Sequence, residues 1–127
     1  MELEDYFRCK KINIWEEKFV IAKSKKPLPK SFAIIQDKTE ITVVIDQSKL
    51  KEEDVIEMEK DWKLLTIYLT IPFESTGFLS KITKVLANKK ISIFVISGYS
   101  TDHILFKKKN LTKTKKKLEI LGFDIQA

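Results

Sequence analysis

The sequence predicts an α+β fold of two tandem ferredoxin-like (βαββαβ) units, the first of them degenerate. Three observations lead there. The second half runs through strand-like and helix-like segments in the order β-α-β-β-α-β, the split βαβ plan. The first half has strand-like runs but no long helix after its first strand. At 127 residues, 43% of them hydrophobic, the chain is long enough for one compact domain or two very small units, and apolar enough to bury a core. The expected division is residues 1–61, the degenerate unit, and residues 62–127, the regular one.

The second half is the clearer. "WKLLTIYLTIP", Trp62 to Pro72, alternates and is rich in Ile, Leu, Thr and Tyr, which predicts a strand stopped by a proline that cannot donate to a ladder. After the loop "FESTG", "FLSKITKVLANKK" puts Phe78, Leu79, Ile82, Val85 and Leu86 on one helical stripe. Ile91 to Ser97 is almost wholly apolar and predicts a central strand, with Asp102 to Phe106 as its hairpin partner. Asn110 is the expected N-cap of a helix that aligns Leu111, Leu118 and Leu121, and Gly122 suits the position just past its end. "FDIQA" predicts a last short strand.

In the first half, "KKINIWEEKFVIAKS" reads as two short strands about Glu16 and Glu17, and "KKPLPKSF" as a proline-stiffened connection. "FAIIQDKTEITVVID" is two apolar runs split by Gln36 to Glu40. "SKLKEEDVIEMEKDW" is charged and predicts a short helix before Trp62.

Composition excludes several classes of function. No apolar run approaches the roughly 20 residues of a membrane helix. The first residues, "MELEDYFRCKK", hold acids and no apolar signal core, so the expected location is the cytoplasm. One cysteine, Cys9, and one histidine, His103, assemble neither a disulfide nor a metal site. No nucleophile elbow, cofactor loop or Gly-Lys-Ser/Thr phosphate loop is present, so neither an enzyme nor a cofactor is expected. The net charge is +6, which raises a nucleic-acid reading. Against it, Arg8 is the only arginine, and the lysines are interleaved with acids outside the dense block Lys107 to Lys117. A nucleic-acid-binding module using that block, with Tyr68 and Phe94 as strand aromatics, stands as the alternative reading, although the RNA-recognition signature is absent.

Two polar segments stand out. "PFESTGFL" joins a strand end to a helix start, where Ser75, Thr76 and Gly77 offer hydroxyls and free amides to a carboxylate, or simply cap the helix. "SGYSTDH", Ser97 to His103, holds the densest hydroxyl cluster, an aspartate and the lone histidine between two core strands. Taking the first strand and the strand after the first helix as parallel and adjacent puts these two loops side by side. One then offers amides to a carboxylate and the other Asp102 to an ammonium, as recognition of a zwitterionic amino acid requires. The competing reading is that Asp102 caps the turn locally. His103 is expected to be structural or to lie on the rim of the site, and Cys9 to have no role.

The segment "IPFESTGFLSKITKVLANKKISIFVISGYSTDHILFKKKNL" resembles the ACT-domain family. The marks are Glu74, Gly77 and Leu79 in the strand-to-helix loop, then Ile91 to Phe94, then Ser97-Gly98-Tyr99-Ser100-Thr101-Asp102. "FVIAKSKKPLP" and "TEITVVI" resemble the family's first-half pattern, so the likeness runs from Ile12 to Ile125 and is nearest to short double-ACT proteins, similar to halves of the cytosolic arginine sensors. Gly98 stands where the family usually has threonine, and His103 where it has tyrosine. The resemblance implies a non-enzymatic regulatory or sensor module that binds a small molecule, commonly an amino acid. Carried over, the ligand-binding residues are Phe73, Glu74, Ser75, Thr76, Gly77, Phe78 and Leu79 in one loop. Ile96, Ser97, Gly98, Tyr99, Ser100, Thr101 and Asp102 form the other, and Thr39, Glu40 and Ile41 are the first-half candidates. Because ferredoxin-like sheets leave an edge or face open to pairing, a homodimer is expected, a point that light scattering checks.

Overall fold

The structure is a computed structural model that describes residues 11–68 and 75–126, with only the backbone described for Ser75, Thr76 and Phe78. Cys9, Phe73 and Glu74 lie outside the described residues. The strands are β1 (Lys11–Ile14), β2 (Phe19–Ser24), β3 (Ala33–Gln36), β4 (Ile41–Asp46), β5 (Val55–Tyr68), β6 (Ile93–Ser97), β7 (Thr101–Lys107) and β8 (Asp124–Gln126). The helices are α1 (Ser75–Asn88) and α2 (Leu111–Ile120). By internal contacts the chain divides into two units. One is Glu17–Trp62; the other is Lys63 onward together with the residues up to Glu16. Strand β5 begins in the first and ends in the second.

In the unit Glu17–Trp62 the strand order is β3-β4-β2-β5, every pair antiparallel. This is the order of a ferredoxin-like sheet whose helices are missing. The register sets Val20 opposite Ile45 and Ala22 opposite Val43, so alternation collects these four aliphatic side chains on one face, where Leu28 joins them. Where the two helices would stand, the chain has two turn-rich connections. One is Lys25 to Phe32, kept from helix by Pro27 and Pro29. The other holds two short 3-10 turns, Gln47–Lys49 and Glu52–Asp54.

The helix expected before Trp62 is therefore not formed: β5 begins at Val55. "VIEMEK" alternates, and its acids sit at exposed strand positions where a cross-strand lysine is available, as in Lys23 opposite Glu57. Further along, the register with β2 shifts between Phe19 and Ile21, and nearby Asp61 adopts φ 64°. Its amide donates to Gln47 Oε1 at 2.9 Å, and its carboxylate lies 3.4 Å from Lys18 Nζ.

In the second unit the order β5-α1-β6-β7-α2-β8 is the predicted β-α-β-β-α-β. The sheet runs β6-β7-β5-β1-β8, with β1 inserted between β5 and β8, antiparallel to the first and parallel to the second. One sheet face is covered by both helices. Ile12, Ile14, Leu65, Ile67, Ile104 and Phe106 from the strands meet Ile82 and Leu86 of α1 and Leu118 of α2. Helix α1 ends at Asn88; in the turn beyond it Lys90 takes φ 59°, and the Ile91 amide donates to Leu86 O at 3.0 Å. Helix α2 ends on Gly122 at φ 101°, as expected. The Gly122 and Phe123 amides donate to Glu119 O and Leu118 O, a Schellman pattern that turns Phe123 into the core. Asn110 occupies the N-cap position of α2, but its side chain makes no capping bond.

One expectation fails. Strands β5 and β6 are not adjacent, because β7 pairs with both and lies between them. A split βαβ unit leaves a gap between its two parallel strands, and the hairpin partner of the second fills it. Of the two hairpin strands, β7 borders β5.

Candidate ligand site at the β6–β7 turn

Strands β6 and β7 pair from Ile93↔Phe106 to Ser97↔Asp102, and Gly98 N donates to Thr101 O at 2.7 Å, closing a tight turn. Tyr99, at its tip, is 92% exposed. Glycine at 98 has a steric reason: a Cβ there would come within 2.8 Å of Thr101 Oγ1. The departure from the family's threonine thus makes room for the Thr101 hydroxyl.

From this turn, alternation along β7 sends side chains to opposite faces. Asp102 shares a face with Ile104 and Phe106. It is 1% exposed, and neither carboxylate oxygen has a hydrogen-bond partner among the described residues. The alternative that it caps the turn locally is thereby set aside, since its carboxylate accepts no bond from the turn. A carboxylate so placed is costly to bury without a donor facing it.

Thr101 and His103 point to the other face. His103 is half-buried, with Nδ1 2.9 Å from Thr66 Oγ1 on β5 and Nε2 3.0 Å from Thr101 Oγ1. The Trp15 indole N–H donates to Thr66 Oγ1 at 2.9 Å. An indole N–H only donates, so Thr66 accepts from Trp15, which leaves its hydroxyl one proton and a second lone pair for His103. The tautomer of the imidazole sets the direction of the remaining bonds: with the proton on Nε2, His103 accepts from Thr66 at Nδ1 and donates to Thr101. Burial pushes the imidazole below its ordinary pKa, and the neighbouring Asp102 charge opposes this only in part, which favours the neutral ring the relay needs. The turn is thereby bonded, side chain to side chain, to β5 and to Trp15. This agrees with a structural place for His103.

The other expected residues lie as follows. Ile96 and Ser97 end β6. Ser75, Thr76, Gly77, Phe78 and Leu79 form the first turns of α1, and Leu79 packs partly against the helix-covered core. Thr39 and Glu40 are exposed in the β3–β4 turn, with Ile41 beginning β4, all in the unit Glu17–Trp62. There the Thr39 amide and hydroxyl and the Glu40 amide all donate to Asp37 Oδ1, at 2.8, 2.9 and 2.9 Å. These bonds hold the Asp37 carboxyl below its usual pKa and commit the Thr39 hydroxyl to the turn. Thr66 is the residue sequence reasoning missed. The available signal was a threonine inside the apolar run "LLTIYL", 1% exposed here. On α2, Thr114 and Leu118 are buried while Lys113 and Lys116 face solvent, an ordinary amphipathic arrangement.

Comparison with known proteins accords with this geometry. Residues 57–119 match the family described as the ACT domain. This segment is an ACT domain. The ACT unit so marked includes the β6–β7 turn, Asp102 and both helices. Among solved structures, a protein of Agrobacterium tumefaciens superposes with TM-score 0.78 at 22% identity, over 91% of each chain. A Vibrio cholerae protein described as a possible transport protein gives TM-score 0.76 at 20% identity, over 94% of this chain and 95% of its own. The regulatory subunit of aspartate kinase from Thermus thermophilus gives 0.67 at 10% identity, over 89% and 96%. At these identities the likeness is one of fold. No curated protein matches the chain. Among the described residues no helix is long and apolar enough to cross a membrane.

Proposed function

We propose that the chain is a non-enzymatic regulatory or sensor module that binds a free amino acid at its ACT domain. The wall of the site is the turn Ile96–Asp102, with the strand-to-helix segment Phe73–Leu79 as the second ligand loop. The observation that carries this reading is Asp102, a buried carboxylate without a hydrogen-bond partner among the described residues, at the mouth of a turn held by the Thr66–His103–Thr101 relay. An ammonium group brings three N–H donors and a positive charge to such a carboxylate, and a helix start suits the ligand's own carboxylate. The Thermus thermophilus protein of the same fold is a regulatory subunit, which supports regulation over catalysis. A double-ACT organisation, expected from the sequence to divide at residues 1–61 and 62–127 but with the residues up to Glu16 grouped with the second unit, a homodimer and a cytoplasmic location complete the proposal.

A thermal-shift screen of the twenty amino acids tests it. A ligand that binds only the folded state must raise Tm, by an amount that grows with its concentration over Kd. One or a few amino acids should stabilise the protein, and Asp102→Asn should abolish the effect while remaining folded. Equal stabilisation of the wild type and the variant would remove Asp102 from the site.

A further inference from the structure

The unit Glu17–Trp62 holds a second feature, independent of the ACT-domain site. Between the two connections that stand where helices would pack lies a cavity of about 240 Å³, lined by Leu28, Pro29, Ile45, Lys26, Lys30, Lys49, Lys51 and Asp54. Leu28 and Ile45 belong to the unit's core and give the cavity an apolar wall; the lysines supply its charge. This is not a consequence of a basic composition, because Glu17–Trp62 contains nine lysines and ten acidic residues. The single acid of the lining, Asp54, is paired with Lys26 at 3.7 Å. Lys30, Lys49 and Lys51 have no ion-pair partner among the described residues. Asp46 and Glu52 each lie three residues from Lys49; Asp46, which feels the Lys49 charge, accepts from the Ser48 amide and hydroxyl at 2.9 and 2.8 Å, and Glu52 pairs with Lys60 at 3.2 Å.

The walls are tied to each other. Buried Ser24 places its hydroxyl 2.6 Å from Lys26 O and 3.2 Å from Asp54 O. The Lys25 amide donates to Asp54 O at 2.9 Å, and Lys25 Nζ to Glu53 O at 3.1 Å. Both lysine-bearing connections are thus held around one space, not left to fold back on themselves. Like charges held together repel, and a bound polyanion relieves that cost.

We infer that this cavity binds a small multivalent anion, a compact molecule bearing phosphate or several carboxylate groups. Lys30, Lys49 and Lys51 supply the charge, and Leu28, Pro29 and Ile45 the apolar contact. Lysine ammoniums act as point charges, so they suit either class of anion. The size fits a small metabolite, below the range of drug-sized sites.

Titration of the full chain with inorganic pyrophosphate and with citrate, followed by amide NMR at low salt, tests the inference. Saturable shifts are expected at Lys26, Leu28, Lys30 and residues 49–54, weakening as salt is raised. Tighter binding of pyrophosphate would assign a phosphate-bearing ligand, and of citrate a polycarboxylate. Lys30→Gln combined with Lys49→Gln should weaken binding about tenfold or more. Removing the same charge from α2, with Lys113→Gln and Lys116→Gln, should leave it unchanged. Shifts spread over every lysine-bearing surface, equal losses in the two double variants, or no saturable shift with either probe would overturn it.

Discussion

Gly98 and Thr101 approach so closely that a methyl group between them must displace one or the other. Gly98→Ala should therefore destabilise the fold by about 1 kcal/mol, the ordinary cost of a local steric change. Thr101→Ala removes the obstructing hydroxyl, so in urea unfolding the double variant should cost less than the sum of the singles. Strict additivity would mean that the contact carries no strain. His103 has a pH signature with a definite sign. Its folded-state pKa is lowered by burial, so the unfolded chain binds its proton first as pH falls. The stability it contributes is fully present above its ordinary value near 6.5 and is lost as pH drops from there towards the lowered value. Urea midpoints measured down through that window should fall in the wild type and fall less in His103→Gln; parallel curves would contradict the relay. At this scale the sequence was partly legible. Asp102 and the hydroxyls announce a polar turn because they interrupt two apolar runs. That His103 bonds Thr66 was not legible, because the partners are 37 residues apart and only the strand pairing brings them together.

Elements were more legible where burial is one-sided. Helix α1 and helix α2 follow from the spacing of Leu79, Ile82 and Leu86 and of Thr114 and Leu118, since each shows the core one stripe. The segment before Trp62 misled because acids at alternate positions suit an exposed strand as well as a polar helix; the pairing with β2 decides. The insertion of β1 between β5 and β8 left no signal in "KINI", since a short buried strand reads alike in either unit. Its consequence is measurable. Ile12 is fully buried and packs with Leu65, Leu86 and Phe123. Ile12→Ala should cost about 2–5 kcal/mol, comparable with Leu65→Ala. A loss under about 1 kcal/mol, the usual range of a surface change, would show that β1 is not part of that core.

At the scale of the whole molecule, both units follow the ferredoxin-like strand plan, but the second has β1 inserted between β5 and β8, and only the second has helices. The unit with helices carries the ACT-domain turn. The unit without them carries the lysine-lined cavity, because connections shorter than helices leave space over the sheet. Its strand-like runs without a long helix announced the degenerate unit in the sequence, but only the order β3-β4-β2-β5 identifies it as ferredoxin-like. Net charge misleads at this scale, since +6 for the chain coexists with a near-neutral Glu17–Trp62. The central claim is that the turn around Asp102 is a wall of an amino-acid site, and amide NMR on the full chain tests it most directly. Each of the twenty amino acids is added in turn while Gly98, Thr101 and Asp102 are followed. The account predicts saturable shifts at these three positions for one or a few amino acids, absent in Asp102→Asn. A folded protein whose turn resonances stay fixed in all twenty titrations would contradict it.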